Sequence, residues 1–165
     1  MKTPQRIVVI GCSGTGALAA MTLKKLQPDL DVTILREPDE EGLLTRCATP
    51  YICCGNVMVE PSYKDDAMFT DENIRLVNAR AEQLDSRRKE VTTAEGNTYP
   101  YDVLVLATGA KPVMPPVSGV DLAGVFALRK SGDAVDILNW LHTRRVLTAV
   151  LLGAGPISVD IAYLS

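Results

Sequence analysis

Three features of this sequence predict an α/β fold with a central parallel sheet. The β-branched run Arg6–Ile10 (RIVVI) feeds directly into a glycine-rich turn, Gly11-Cys12-Ser13-Gly14-Thr15-Gly16. Ala17–Leu26 (ALAAMTLKKL) follows as a helix with its basic residues late, where the helix dipole favours them, and Asp31–Leu35 (DVTIL) reads as the next strand. A further apolar run, VLVLA at Val103–Ala107, has the same buried character. Uninterrupted apolar runs of this kind mark strands covered on both faces, as in parallel sheets. Strand, turn, helix and strand within about thirty residues form one βαβ unit.

The bulk properties narrow the class. The chain has 165 residues, one domain's worth, of which 47% are hydrophobic and 22% charged. Twenty acidic against seventeen basic residues leave a net charge of −3, which argues against nucleic acid as a partner. No apolar run is long enough to span a bilayer and none opens the chain, so the expectation is a cytoplasmic protein without a membrane partner. Cys12, Cys47, Cys53 and Cys54 are then expected as reduced thiols. No CxxC pair is present and the single His142 lies far from the cysteines, so no metal site is expected.

The glycine turn has a specific physical reading. Gly11 permits a tight turn and Gly16 a close approach of helix and strand, while the backbone N–H groups opening the helix face an anionic pyrophosphate. Ser13 replaces the second glycine of the usual G-x-G-x-x-G pattern, and Gly14 is displaced by one. A glycine turn without a ligand is the alternative, and the strand before and helix after it favour the nucleotide. An acidic residue should close the second strand and hold a ribose hydroxyl. Here Arg36 precedes Glu37, so Glu37 is the candidate, against a solvated loop acid among Asp39, Glu40 and Glu41.

The segment Leu43–Val57 (LLTRCATPYICCGNV) places Cys47 three residues before Pro50 and next to Arg46, a cation that favours the thiolate. On spacing alone Cys47 is either a reactive thiol or a small buried residue. Ile74–Asn78 and Lys89–Ala94 read as strands, with Gly96-Asn97 as a turn after the second. The proline-rich Lys111–Gly119 reads as an extended linker. Asp133–Thr143 has helical spacing with Trp140 and Leu141 expected in the core. Arg145–Leu152 reads as another buried strand, leading to Gly153-Ala154-Gly155-Pro156-Ile157-Ser158, a second G-x-G turn, with Asp160 on the helix after it.

Five segments in order, VVIGCSGTG, CATPY, YDVLVLATGAKP with PPVSGVD, FALRKSGDA and VLLGAGPISVD, carry a resemblance. The chain resembles the N-terminal part of the FAD-dependent pyridine nucleotide–disulfide oxidoreductases. Within them it is most similar to the single-cysteine branch of coenzyme A-disulfide reductases and NADH oxidases. The resemblance implies a Rossmann-like, three-layer FAD/NAD(P)-binding fold. It implies that Gly11, Ser13, Gly14, Thr15 and Gly16 bind the ADP part of FAD, that Ala81 meets the adenine, and that Thr108-Gly109-Ala110 pass close to the flavin. It makes Cys47 the thiol that lies near the flavin and cycles between thiolate and a mixed disulfide or sulfenic acid. Ile52 stands where a dithiol relative has its second cysteine, and Cys53 and Cys54 fall at packing positions. Two positions depart from the pattern: Leu43 replaces a Ser, and Arg46 replaces an Asn that contributes to the flavin site. Disulfide, persulfide, sulfur, polysulfide or oxygen/peroxide acceptors all remain open.

Gly153 and Gly155 would by the same resemblance open an NAD(P)H domain. The expected organisation is residues 1–112 as the N-terminal part of the FAD domain, 113–145 as linker and helix, and 146–165 as the start of the second domain. A parallel crossover needs a dozen or more residues and a returning strand, so that second unit, and with it the fold, is expected to be incomplete at the C-terminus. The expected protein is thus an N-terminal fragment of an NAD(P)H-dependent flavoenzyme acting on small molecules, homodimeric when full-length and inactive as the fragment. A non-catalytic FAD- or nucleotide-binding module is the alternative.

Overall fold

The structure is a computed structural model that describes residues 5–39, 42–44, 46–60 and 63–164, with the backbone alone for Leu44. Glu40 and Glu41 of the acidic run, and Thr45, lie outside the described residues. Contacts divide the chain into two units, Met1–Leu43 with Lys64–Gly109, and Leu44–Tyr63 with Ala110–Ser165.

The first unit is built on the expected parallel sheet. Strands β1 (Arg6–Ile10), β2 (Asp31–Arg36), β5 (Ile74–Asn78) and β9 (Val103–Leu106) lie in the order β5-β2-β1-β9. All three pairings are parallel, with Val8 opposite Thr33 and Leu104, and Leu35 opposite Val77. The pleat sends successive side chains to opposite faces, and each face has its own cover. Ile7, Val9 and Ile34 pack with Ala17 and Ala20 of α1 (Gly14–Leu26) and with Phe69 of α3 (Ala67–Asp71). Val8 and Leu35 pack on the other side with Val91, Tyr99 and Tyr101. Val91 and Tyr99 belong to an antiparallel three-stranded sheet of β6 (Ala81–Asp85), β7 (Glu90–Thr93) and β8 (Thr98–Pro100). Helices, parallel sheet and antiparallel sheet make three layers.

Strands β6 and β8 are absent from the sequence reading. Four of the five β6 residues are exposed, so β6 has neither an apolar run nor a buried alternation to announce it. Its hairpin does have a local cause. Asp85 Oδ1 accepts from the N–H groups of Arg87 and Arg88, both at 2.9 Å, closing the turn into β7. Those N–H bonds hold the Asp85 carboxyl below the usual carboxylate range. The second hairpin turns at Gly96, φ +83°, as expected from Gly96-Asn97.

The second unit packs helices. The 3₁₀ turn Arg46–Ala48 runs into α2 (Thr49–Cys53), and the strands β3 (Leu43–Leu44) and β4 (Tyr63–Lys64) stand where the chain crosses between units. Ile52 and Cys53 of α2 are buried with Ala134 of α4 (Ser131–Thr143), and Ile137 and Ile161 of α5 (Pro156–Leu164) pack against them. Asp133 caps α4 by accepting from the N–H groups of Lys130 at 2.7 Å and Arg129 at 2.8 Å. The Tyr63 and Ser131 hydroxyls share a 2.9 Å hydrogen bond.

Two expectations are corrected here. Leu141 is not core but 40% exposed, and Trp140 is half-buried. The short α2 covers only the first turns of α4, so the apolar stripe outlasts its cover. Trp140 instead meets Phe126 edge-on at 5.8 Å and carries Arg144 over its ring at 4.9 Å. Arg145–Leu152 is not a buried strand either: it has no strand pairing, and Leu147 and Val150 are 81% and 83% exposed. An apolar run becomes a strand only when a neighbour takes its backbone N–H and C=O groups, and none among the described residues does so. No helix of the described residues is long and apolar enough to cross a membrane.

Arg6 and Asp102 tie the first turns of β1 and β9 together. Asp102 Oδ2 accepts from the Arg6 backbone N–H at 2.8 Å, and the guanidinium reaches Oδ1 at 3.1 Å. The Arg6 side-chain bond holds the Asp102 carboxyl below its usual range. A carboxyl depressed in the folded state adds stability that is fully present above its unfolded pKa. That stability is lost as pH falls through the folded value. Asp102→Asn is therefore expected to flatten the acid limb of stability below about pH 4 while leaving its shape above that unchanged, as read by urea denaturation across pH.

Candidate functional site: a nucleotide cradle and an exposed thiol

The cradle forms where β1 ends. Gly11 adopts φ +104°, and a Cβ there would stand 2.2 Å from the Ala107 carbonyl oxygen. A Cβ on Gly16 would stand 2.0 Å from the carbonyl oxygen of Gly11 and 3.2 Å from the Ala107 Cβ. Both positions therefore exclude any side chain, for two reasons that the spacing had already suggested: a left-handed turn and a helix pressed onto its strand. The Ala107 N–H donates to Ile10 O at 2.8 Å, and the Gly11 N–H to Leu35 O at 2.8 Å. The turn is thus clamped to β9 on one side and β2 on the other. Thr108 and Gly109 follow Ala107 directly, with Gly109 at φ +73°.

The inner face of this turn suits an anion. The first helical bond of α1 runs from Ala17 N–H to Ser13 O at 3.0 Å, so the N–H groups of Gly14, Thr15 and Gly16 precede the ladder and have no acceptor within the helix. No acidic residue occupies the first turn, and a Cβ on Gly14 would meet nothing within 4 Å. Three N–H groups outside the helical ladder, with open space beside Gly14, match the pyrophosphate of a dinucleotide such as FAD.

At the end of β2, Arg36 and Glu37 part company, as consecutive residues of an extended chain do. Arg36 turns inward: its side chain is 4% exposed and grips Asp66 with two bonds of 2.7 and 2.8 Å, while Nε donates to Asn78 Oδ1 at 2.8 Å. An arginine at this point of a dinucleotide fold can take a 2′-phosphate. Buried in that clamp, Arg36 is spent elsewhere. Glu37 stays at the surface and accepts from Arg80 Nη1 at 3.0 Å. Arg80 immediately precedes Ala81, the first residue of β6. The sequence reading missed Arg80 and Asp66, since both pairings join residues far apart in the chain.

In the second unit Cys47 lies in the 3₁₀ turn and is exposed, which removes the buried alternative for it. Thr49 Oγ1 donates to Arg46 O at 2.7 Å, pinning this turn. Arg46 directs Nη1 at the carbonyl of Arg129, 3.3 Å away. Cys53 and Cys54 form no disulfide, and their Sγ atoms lie 3.9 Å apart. Burial, with Cys54 beside it, pushes the Cys53 thiol up to about 12, so it stays protonated at neutral pH. Ala110 O accepts from Arg129 Nε at 2.7 Å, and Gly155 O begins the ladder of α5 by accepting from Val159. Gly153 has φ +109° with nothing near its Cβ position.

The two kinds of glycine predict opposite mutational outcomes. Gly14→Ala should leave the thermal midpoint within about 3 °C of the parent, since its Cβ enters open space at a helix start. Gly16→Ala should cost several kcal/mol, roughly 3 or more, or abolish folding, because a backbone carbonyl must move. Thermal unfolding followed by circular dichroism checks both.

Comparison with known proteins agrees with this construction. Residues 5–164 match the family model described as pyridine nucleotide-disulphide oxidoreductase. The chain is 31% identical to an NADH oxidase of Methanocaldococcus jannaschii over 96% of its own length and 37% of the relative's. It is 32% identical to a CoA-dependent NAD(P)H sulfur oxidoreductase of Pyrococcus abyssi over 98% of itself and 37% of that protein. Among solved structures, an NAD-dependent persulfide reductase from A. fulgidus superposes with a TM-score of 0.86 at 30% identity, covering 96% of this chain and 31% of that one. The chain thus spans about 37% of the length of these curated relatives. With the family match running through the glycine cradle, the thiol turn and the second glycine turn alike, the chain belongs to the pyridine nucleotide-disulphide oxidoreductases, a family of FAD-dependent enzymes.

Proposed function

We propose that this chain is the N-terminal, FAD-holding part of a longer NAD(P)H-dependent oxidoreductase, with Cys47 as its single redox-active thiol. The observation that carries the reading is the Gly11–Gly16 turn, whose two forbidden Cβ positions and three helix-opening donors form a pyrophosphate cradle inside a family match that spans residues 5–164.

Each residue then has a task. The N–H groups of Gly14, Thr15 and Gly16 hold the pyrophosphate, and Glu37 accepts from the ribose. The family resemblance assigns Ala81 to the adenine and Thr108, Gly109, Ala110 and Arg46 to the flavin. FAD, when bound, supplies the two-electron link between a nicotinamide and a thiol. Cys47, as thiolate, attacks one sulfur of a small disulfide, or the inner sulfur of a persulfide, forming a mixed disulfide and expelling the other sulfur as a thiolate or, from the persulfide, as hydrosulfide. Gly153 and Gly155, with the start of α5, open the unit that binds NAD(P)H. The relatives' names, NADH oxidase and sulfur or persulfide reductase, support small sulfur compounds or oxygen as acceptors.

The test begins with alkylation at neutral pH. Cys47 should take up a maleimide first, with Cys12 and Cys53, both 1% exposed, protected until unfolding. In the full-length protein Cys47→Ser should keep its flavin and lose NAD(P)H-dependent disulfide or persulfide reduction at least about 100-fold. Full activity in that variant would remove Cys47 from the reaction.

A further inference from the structure

A cavity of about 630 Å³ opens toward the amino ends of β1, β2 and β5, at the end of the sheet away from the glycine turn, with the hairpin residues 96–100 as its wall. That volume is in the range of small-molecule sites. The pleat sets its floor. Leu35 and Val77, paired across β2 and β5, pack beneath the antiparallel sheet. Two residues earlier on the same face stand Thr33 and Arg75, also paired, where that apolar cover ends. Thr33 is 8% exposed and lines the cavity beside Val8, and its hydroxyl has no hydrogen-bond partner among the described residues. A buried hydroxyl in that state is costly unless something entering the cavity bonds to it. Arg75 extends over the Tyr99 ring, 5.9 Å from its centroid, and makes no salt bridge among the described residues. Arg6 is already engaged, with Nε and Nη2 on Asp102 at 3.3 and 3.1 Å. Asp31, opposite Arg6 in register, lines the cavity and makes no salt bridge among the described residues. One strand spacing and two residues of rise separate the Cα atoms of Asp31 and Arg75, roughly 8 Å. An acid and a base thus face one cavity without pairing, and a buried hydroxyl lies between them.

We propose that this cavity binds a small zwitterion of the dipeptide class, its carboxylate on Arg75 and the Thr33 hydroxyl and its ammonium on Asp31. The site is separate from the nucleotide cradle and does not depend on it, since the two lie at opposite ends of the sheet. Charge selects the ligand class. With Asp102 set against Arg6, the charges around the cavity cancel, leaving Asp31 and Arg75 to be answered. A simple anion would satisfy Arg75 and meet Asp31, and a simple cation the reverse, whereas a zwitterion satisfies both. The guanidinium fork suits a carboxylate, and its place over Tyr99 restrains it. Length narrows the class further. A single amino acid carries both charges on one carbon, too close to bridge the two side chains, while two extended residues span roughly 7 Å. Ile7 and Val8 line the cavity between the charged positions and give the ligand an apolar surface to rest on.

The test follows backbone amide shifts of the isotope-labelled chain during titration with three probes. Glycyl-leucine is the zwitterion, N-acetyl-glycyl-leucine lacks the cation, and glycyl-leucinamide lacks the anion. Glycyl-leucine should give saturable shifts at Thr33, Arg75 and Asn97, with none at Gly14, Thr15 and Gly16. Each capped probe should bind about tenfold more weakly or worse. Asp31→Asn should erase the preference over the N-acetyl form and keep that over the amide, and Arg75→Met should do the reverse. Thr33→Val removes the hydroxyl and keeps the shape, and should weaken glycyl-leucine roughly 3- to 10-fold with the rest of the amide spectrum unchanged. If the N-acetyl form binds as well as the zwitterion, the cavity is an oxyanion site and the proposal falls. It falls equally if the folded chain binds no probe up to about 50 mM, or if Thr33→Val leaves the affinity unchanged. Shifts at the glycine turn in place of Thr33 and Arg75 would also overturn it. None of these failures touches the nucleotide cradle, which answers to FAD alone.

Discussion

Everything that positions the candidate site depends on the close approach of three backbone segments at the carboxyl end of β1. Gly11, Gly16 and Ala107 meet so tightly that a single added carbon at either glycine would lie within 2.2 Å of a carbonyl oxygen. The contact presses α1 onto its strand and brings the end of β9 beside the turn, while the N–H groups of Gly14, Thr15 and Gly16 precede the helical ladder. Those donors carry no intrahelical bonds by geometry alone. A Cβ would force the helix away from the strand and open the turn, which is why the constraint reads as glycine at two positions and tolerates Ser13 between them.

The second organising feature is a division of charge at the end of β2. Consecutive residues of an extended chain face opposite ways, and here the two are of opposite sign. Arg36 goes under the surface, where the bidentate Asp66 partner and Asn78 satisfy a guanidinium that would otherwise be costly to bury. Glu37 stays above it with Arg80. One strand end thereby performs two separate tasks, fastening β2 to the segment before β5 and presenting a carboxylate beside the cradle.

Much of this was legible in the sequence, and the reasons are specific. β1 and β2 show themselves because their apolar runs are buried by layers on either side, β5 and β9 because they carry apolar residues although they are only partly covered, β7 through its alternation of buried and half-buried residues, and the glycines because their spacing follows from the turn. β6 and β8 do not, since an exposed antiparallel strand such as Ala81–Asp85 has no required apolar pattern; the Asp85 turn was the available local signal. Arg145–Leu152 shows the converse error, an apolar run whose strand state depends on a neighbour. Trp140 and Leu141 show another, a helical stripe longer than the helix that covers it. Arg80 and Asp66 were invisible because an ion pair between residues 43 or 30 positions apart is a product of the fold.

The central claim is that the Gly11–Gly16 turn of this chain cradles a dinucleotide pyrophosphate. The most direct measurement is a titration of the isotope-labelled chain with FAD, followed residue by residue through backbone amide chemical shifts. The account predicts the largest, saturable shifts at Ser13, Gly14, Thr15 and Gly16, with smaller ones at Glu37 and Thr108. A folded chain whose amides at those positions do not respond to FAD, or whose largest shifts fall at the opposite end of the sheet around Arg6 and Asn97, would contradict it.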